Sequence, residues 1–370
     1  MNEWHALASS YESENLKKAR EEGKRVIGYA CLATPREIIE AADLYPYRLK
    51  ALGNPEMELA DAHLSRFNCG FCRSCLHLVL NGTYDFLDGV IETNGCDHLR
   101  GMFENWRHAQ QIDFFHYLRV PHFSDPDSLE WFSEELVSLR DSLAEHYGVE
   151  IGDRQLLSAM ELEQEATSKL REIYESRWVD GIKITGSEII ALLVLRGSLS
   201  APEYSAILDG LAEKLDAREP LEYRARLFMG GSATDEIELI AELESLGGLM
   251  IADSFCFGGR IFRDAPSVSG SAITQLASAY LDNLMCPRMF DEYDRRKSYV
   301  MKMIGRSRAD GAVFLTNKFC DLHGIENVMM RNDLEREGIP VLLLDKEYGA
   351  RADMGRLKTR MQAFLERIGK

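Results

Sequence analysis

Short apolar runs that open into helix-length segments recur along this chain, and that alternation constrains its fold more than any other feature. Lys24 to Leu32 reads as a buried strand, and Thr34-Pro35-Arg36-Glu37 supplies a helix start with proline at the first helical position and a capping box. Phe86 to Thr93 is a second run, leading into Asn94-Gly95-Cys96, and Tyr117 to Val120 is a third, ending at Pro121. Beyond Pro220 the pattern returns in Arg226 to Met229, Leu249 to Ala252, Ala312 to Thr316 and Pro340 to Leu344. Between these groups, from Asp125 to about Ala217, apolar residues recur three and four apart, and Thr185/Glu188 and Ser200/Glu203 form capping boxes. The expectation is an α/β chain of two doubly wound lobes with parallel sheets. The N-terminal lobe covers 1–150, a helical insert 151–219 and the C-terminal lobe 220–370.

A chain of 370 residues with 45% hydrophobic content is long enough for two such cores. Its longest apolar stretches, such as Ile189 to Leu195, fall well short of the roughly 20 residues that cross a bilayer. The opening Met1-Asn2-Glu3-Trp4-His5 has no basic segment leading into an apolar one, so a soluble, cytoplasmic protein is expected. Acidic residues outnumber basic ones 60 to 43, for a net charge of −17. That argues against a nucleic-acid partner and requires any polyanionic ligand to meet a local basic patch. Eight cysteines in a reducing compartment call for metal binding or catalysis rather than disulfides.

Three of those cysteines fall within seven residues, Cys69-Gly70-Phe71-Cys72-Arg73-Ser74-Cys75, with Cys96 following after a strand. The spacing is that of a bacterial ferredoxin run, but the fourth cysteine and its proline are missing, since Val79 and Leu80 stand there. A zinc ribbon needs a second Cys-x2-Cys pair, which neither Cys286-Pro287-Arg288 nor Phe319-Cys320-Asp321 provides. Thiolates gathered from separate loops to hold an iron–sulfur cubane between two lobes account for the pattern better, and fewer than four protein ligands would leave one iron open to substrate. Cys31 and Cys96 lie beyond strands 65 residues apart, and Cys256 and Cys320 do so 64 apart, which suggests related lobes with cysteines at strand carboxyl ends.

Val26-Ile27-Gly28-Tyr29-Ala30-Cys31-Leu32-Ala33-Thr34-Pro35-Arg36-Glu37, the Cys69 to Ser74 segment, Glu92-Thr93-Asn94-Gly95-Cys96-Asp97, Phe319-Cys320-Asp321 and Gly338-Ile339-Pro340-Val341-Leu342-Leu343-Leu344-Asp345 together resemble the 2-hydroxyacyl-CoA dehydratase and benzoyl-CoA reductase family. The resemblance runs from about Gly28 to Ile368. It implies that Cys69, Cys96 and Cys320 hold a [4Fe-4S] cluster in the cleft between the lobes. Cys72 and Cys75 lie outside that minimal set, as thiols beside the cluster or as further ligands of a double cubane. It also implies an acyl-CoA substrate, a homologous second subunit and a separate ATP-hydrolysing iron–sulfur activator, and this chain shows no phosphate loop of its own. Cys96-Asp97-His98-Leu99-Arg100 is closer to the reductase branch than to the lysine-rich stretch of the dehydratases. Both branches add one electron to a thioester carbonyl, forming a ketyl-type radical anion. One then dearomatises a benzoyl ring and the other expels an α-hydroxyl. A reading of another class makes this chain an electron-storing or scaffold subunit whose partner binds substrate.

Around the cysteines, Ser74 is a candidate donor to the thioester oxygen or a helix cap, and Arg73 and Arg66 are candidate contacts for CoA phosphates or solvated arginines. His98 and His323, two and three residues past cluster candidates, are candidate proton donors or backbone-bonded histidines. Phe228-Met229-Gly230-Gly231-Ser232 reads as a phosphate cradle or as a tight turn needing glycine. Cys31 and Cys256 read as buried strand-end thiols, and Cys286 has no assigned role.

Overall fold

The computed structural model describes residues 3–349 and 351–369; Met1 and Asn2, at the head of the segment read for targeting signals, lie outside them. Among the described residues eight strands form two four-stranded, wholly parallel sheets. In the first lobe β1 (Val26–Tyr29), β2 (Tyr45–Arg48), β3 (Gly89–Thr93) and β4 (Phe114–Leu118) take the order β2-β1-β3-β4. In the second, β5 (Ala225–Gly231), β6 (Gly248–Asp253), β7 (Gly311–Asn317) and β8 (Val341–Lys346) take the order β6-β5-β7-β8. The two sheets share one topology. Each reverses its winding direction at its central strand pair, and the crevice beyond that point is where open α/β sheets take ligands.

The strands form where buried apolar runs demand two-sided cover. Strands β5 and β6 are buried along their whole length. The edge strand β2, Tyr-Pro-Tyr-Arg, was not legible as a strand. Its proline is tolerated because an edge strand has one side without ladder partners.

Helices Pro126–Tyr147, Asp153–Glu175, Gly186–Arg196 and Ala201–Asp216 form the expected helical layer, with the capping boxes at Thr185 and Ser200 in place. That layer joins the lobes. Helix Asp153–Glu175 packs on helix Arg36–Ala41 of the first lobe, whereas Gly186–Arg196 packs on β6 of the second. Helix Ala272–Leu281 shares a hydrophobic core with Ile27, Ile91 and the Pro126–Tyr147 helix, so it lies with the first lobe in space although it follows β6 in sequence.

The capping box expected at Thr34 is not formed. Pro35 takes the N-cap of helix Arg36–Ala41 without a side-chain bond. Glu37 instead accepts from the Tyr280 hydroxyl at 2.6 Å and pairs with Arg263 at 3.3 Å, so tertiary partners outcompete the local backbone for its carboxylate. Among the described residues no helix is long and apolar enough to cross a membrane.

Candidate functional site

Three cysteines stand at the starts of three helices. Cys69 is the N-cap of Gly70–Leu80, Cys96 of Asp97–Ala109 and Cys320 of Asp321–Arg336. A helix start offers unpaired amides and the positive end of the helix dipole, which favour a thiolate over a thiol. The sulfurs close no capping hydrogen bonds, yet the amides of Phe71 and Cys72 near Cys69, of His98 and Leu99 near Cys96, and of His323 near Cys320 all act in that direction. At Cys320 the approach turn is held by Phe319 in the left-handed region, φ +65°, with its ring edge-on to Phe67 of the other lobe at 5.4 Å.

The Cys72 thiol sits between Cys69 and Cys96 within hydrogen-bond reach of both, and can donate its one proton to either. Its hydrogen bond brings Cys69 down to about 6 in spite of burial and lowers Cys96, while Cys72 itself is pushed well up. Burial, followed by the charge of Cys69, pushes Cys320 up to about 12, with the Ser232 hydroxyl opposing. One charge delocalises within the thiol group, and a second is resisted unless something positive enters the cleft.

These cysteines line a cavity of about 470 Å³ between the lobes. Cys31, Cys256 and Cys286 line it as well, so all of the eight cysteines except Cys75 face one space. Cys75 is fully buried away from the cavity, where burial and the Asp235 carboxylate push its thiol well up. The structure therefore places Cys72, and not Cys75, beside Cys69 and Cys96.

The cavity wall is basic although the chain is acidic. The Arg48 guanidinium stacks 3.8 Å over the Phe257 ring and donates to the carbonyls of Ala30 (Nε, 3.1 Å) and Cys256 (Nη1, 2.7 Å), tying the lobes together. Arg288 donates to the carbonyls of Val120 at 2.8 Å and Pro121 at 2.5 Å, and Arg260 to that of Met285 at 3.0 Å. Sequence reasoning missed all three arginines. Each is brought in by contacts between distant segments, and its neighbours in sequence carry no motif.

His98 lines the cavity, its Nδ1 2.8 Å from Asn68 Oδ1 and its Nε2 3.3 Å from Asp321 Oδ2 of the other lobe. His323 also lines it. Burial and the nearby Arg260 hold its pKa well below the usual range, so the ring is neutral.

Ser74 and Arg73 are placed elsewhere. The Ser74 hydroxyl, fully buried, donates to the Asn54 carbonyl at 2.9 Å. Arg73 Nε donates to Asp61 Oδ1 at 2.8 Å, and the largely exposed Arg66 takes the other oxygen of that carboxylate at 3.1 Å. None of the three lines the cavity, because residues 73 and 74 fall on the faces of the Gly70–Leu80 helix turned from it. The glycines of Phe228–Ser232 cradle no phosphate either. Strand β5 runs on to Gly231, whose φ is +121°, and a Cβ there would strike the Leu315 carbonyl. Close approach of two strands is the reason for glycine.

The donor set fits an iron–sulfur cluster. Among the described residues no group of three His, Cys, Asp or Glu side chains is placed to hold a single metal ion. The thiols are spread over the cavity wall, which suits a group several atoms across. The basic wall also suits the negative charge that thiolates and sulfides bring.

A two-lobed open-sheet protein with thiols and arginines gathered at the carboxyl ends of both sheets is of the class that binds a ligand between its lobes. Residues 31–368 match the family model described as 2-hydroxyglutaryl-CoA dehydratase, D-component, and the chain belongs to that family. It is similar to the (R)-phenyllactyl-CoA dehydratase beta subunit of Clostridium sporogenes, 23% identical over 99% of this chain and 98% of the relative. It is similar also to a benzoyl-CoA reductase subunit from Thauera aromatica, 24% identical over 88% of this chain and 86% of the relative. A third relative, the (R)-2-hydroxyglutaryl-CoA dehydratase beta subunit of Acidaminococcus fermentans, is 23% identical over 95% of each chain.

Proposed function

We propose that this chain is a subunit of an iron–sulfur enzyme that carries out low-potential, one-electron reduction of a CoA thioester, on the benzoyl-CoA reductase side of its family. The observation that carries this reading is the convergence of Cys69, Cys96 and Cys320, each capping a helix, on one basic cavity between the lobes. Those three residues hold the [4Fe-4S] cluster, which supplies single electrons at low potential.

The remaining residues prepare the site. Arg48, Arg260 and Arg288 set a positive field that offsets the thiolates and the phosphate charge of a CoA thioester. Phe71, Phe257, Leu284 and Met285 give the wall an apolar part that excludes water from the reacting centre. His98 stands at the head of its helix with Nδ1 2.8 Å from Asn68 Oδ1 and a buried Nε2 that has no hydrogen-bond partner among the described residues, positioned to hold a proton near a bound substrate. The reading leans to the reductase side because the Cys96-Asp97-His98-Leu99-Arg100 segment resembles that branch, and His98 and Arg100 of that segment line the cavity. The dehydratase reaction uses the same cavity and is supported by relatives of that kind.

A homologous subunit and an ATP-hydrolysing activator complete the proposed assembly. Phe290, 76% exposed at the cavity rim, Phe67 at 73% and Ile325 at 70% supply apolar surface on which a partner would close.

The test is iron and acid-labile sulfide analysis of anaerobically purified protein, with Cys69→Ala, Cys96→Ala and Cys320→Ala alongside. Iron and sulfide in the native chain, lost in each variant, are expected. Zinc without iron would overturn the redox reading. Assay of the reconstituted complex with aromatic and 2-hydroxyacyl thioesters then separates ring reduction from dehydration.

A further inference from the structure

A second cavity, of about 330 Å³, lies where the helical layer meets the first lobe, and it shares no lining residue with the cavity that gathers the cysteines. Helices Arg36–Ala41, Asp153–Glu175 and Ala272–Leu281, the end of Gly186–Arg196 and the segment 261–266 enclose it. The proposed function leaves it without a role. Its volume falls in the lower part of the ~300–1,000 Å³ range of small-molecule sites, so it takes a compact ligand and not a whole CoA thioester.

Two arginines in its wall have hydrogen-bonding capacity to spare. Arg263, its side chain 15% exposed, lies 3.4 Å over the Tyr280 ring and meets Glu37 through Nη1 alone, at 3.3 Å. Among the described residues no acceptor reaches its Nε or Nη2. Arg196, 6% exposed, donates through Nη2 to Glu163, and its buried Nε has no hydrogen-bond partner among the described residues. Guanidinium donors withdrawn from water and left open cost free energy that an acceptor on a ligand would recover. The site is also built in advance. Arg171 donates to the Arg263 carbonyl at 2.8 Å, holding the segment 261–266 against helix Asp153–Glu175, and the Tyr280 ring fixes the plane of the Arg263 guanidinium.

The other groups of the wall narrow the class of ligand. Its two buried carboxylates are already claimed, Glu37 by the Tyr280 hydroxyl at 2.6 Å and by Arg263, Glu163 by Arg36 at 2.6 Å and by Arg196. Glu40 pairs with Arg36 from outside the wall, and burial, against the pull of Arg36, raises its carboxyl to about 7, so at neutral pH it carries less than a full charge. Three arginines thus face slightly less than three carboxylate charges, a balance that accepts one negative charge and resists two. Glu172 and Asp264 lie exposed, where water and salt screen them. A carboxylate offers Arg263 the planar pair of acceptors that a guanidinium matches best. Met160, Ile261 and Leu276 line the rest of the cavity and suit an apolar body.

We propose that this cavity binds a small monocarboxylate with an apolar body of about five to eight carbons, its carboxylate on Arg263 and Arg196 and its body against Met160, Ile261 and Leu276. The inference goes beyond the proposed function and does not depend on it.

The experiment uses the full-length chain purified without oxygen and takes two readings. Benzoate, hexanoate and inorganic phosphate are titrated by calorimetry into the native chain and into Arg263→Gln and Ala279→Phe, the second of which fills the cavity without removing a charge. In parallel, 4-azidobenzoate is photo-crosslinked to the native chain with and without excess hexanoate, and the attached residues are found by peptide mass. The expected result is saturable binding of both carboxylates, at least about tenfold weaker in each variant, with phosphate binding far more weakly. Crosslinks that hexanoate suppresses are expected within residues 160–171, 261–266 and 276–279. No saturable binding of either carboxylate, phosphate binding as tight as theirs, affinity that survives both substitutions, or crosslinks confined to the walls of the cysteine cavity overturns the site. The crosslinking needs no variant, so a substitution that prevents folding does not blunt the test.

Discussion

Cys96 and Cys320 occupy one position in two copies of the same topology. Each lies three residues past the third strand in its sheet's chain order, β3 or β7, and each caps the helix that follows, with an aspartate next in line. Cys31 and Cys256, which the sequence spacing paired in the same way, are not equivalent. Cys31 follows β1, whereas Cys256 follows β6, the counterpart of the edge strand β2.

An N-cap is a place where serine outperforms most residues, so cysteine at both positions serves the sulfur and not the helix. Cys96→Ser and Cys320→Ser are expected to leave the iron-free protein unchanged or more stable by up to ~1 kcal/mol in urea unfolding. Both are expected to lose iron. A loss of more than about 2 kcal/mol in the iron-free protein would mean that these thiols are packing elements.

Stability of the joint between the first lobe and the helical layer centres on Glu163. Its carboxylate pairs with Arg36 Nε at 2.6 Å and with Arg196, and all three side chains are buried. Glu163→Gln leaves Arg196 without its carboxylate and Arg36 with Glu40 alone, at 3.0 Å, and a loss of about 3–5 kcal/mol is expected. Denaturant titration checks this. A change below about 1 kcal/mol would show that Glu40 and the carbonyls of Arg196 and Leu199, which Arg36 also meets, hold the joint without Glu163.

How much of this was legible in the sequence depended on how local the cause was. Strands β1, β3 and β5 to β8 announce themselves because a buried parallel strand must be apolar on both faces, and the boxes at Thr185 and Ser200 because a cap is settled within four residues. The box at Thr34 failed for a long-range reason, since Tyr280 and Arg263 claim Glu37 from over 200 residues away. At the site, the cysteines stood out by their density. Ser74 and Arg73 were drawn in by adjacency to them, although helical geometry turns them away. Arg48, Arg260 and Arg288 carry no local pattern and become site residues only when the lobes pack.

Gly231 separates the strand-contact reading from the phosphate one. Gly231→Ala combines positive φ with a clash against the Leu315 carbonyl and is expected to cost more than about 3 kcal/mol, or to prevent folding. Gly305→Ala, within helix Tyr293–Ser307 and with open space at the Cβ position, is expected to stabilise by ~1 kcal/mol. Thermal unfolding of the pair provides the check. Equal effects would refute the assigned backbone at Gly231.

Glu92, on β3 four residues before Cys96, is buried, and among the described residues no salt bridge reaches it. Burial first, and then the charge of Glu104, push its carboxyl up to about 7, against the weaker pull of Arg107 and Arg100. Because the folded-state value lies above the ordinary carboxylate range, the folded chain holds a proton there that the unfolded chain has released between about pH 4.5 and 7. Glu92 therefore favours the folded state at the acid end of that window, and this contribution is lost as pH rises through 7. Glu92→Gln mimics the protonated form at every pH. The variant is expected to be more stable than the native chain at pH 8, on the order of 2 kcal/mol, and close to it at pH 4.5. Taking the difference between the two profiles removes the other titrating groups, including Glu40, which burial also raises to about 7. A constant offset across that range would mean that Glu92 is charged throughout in the folded state.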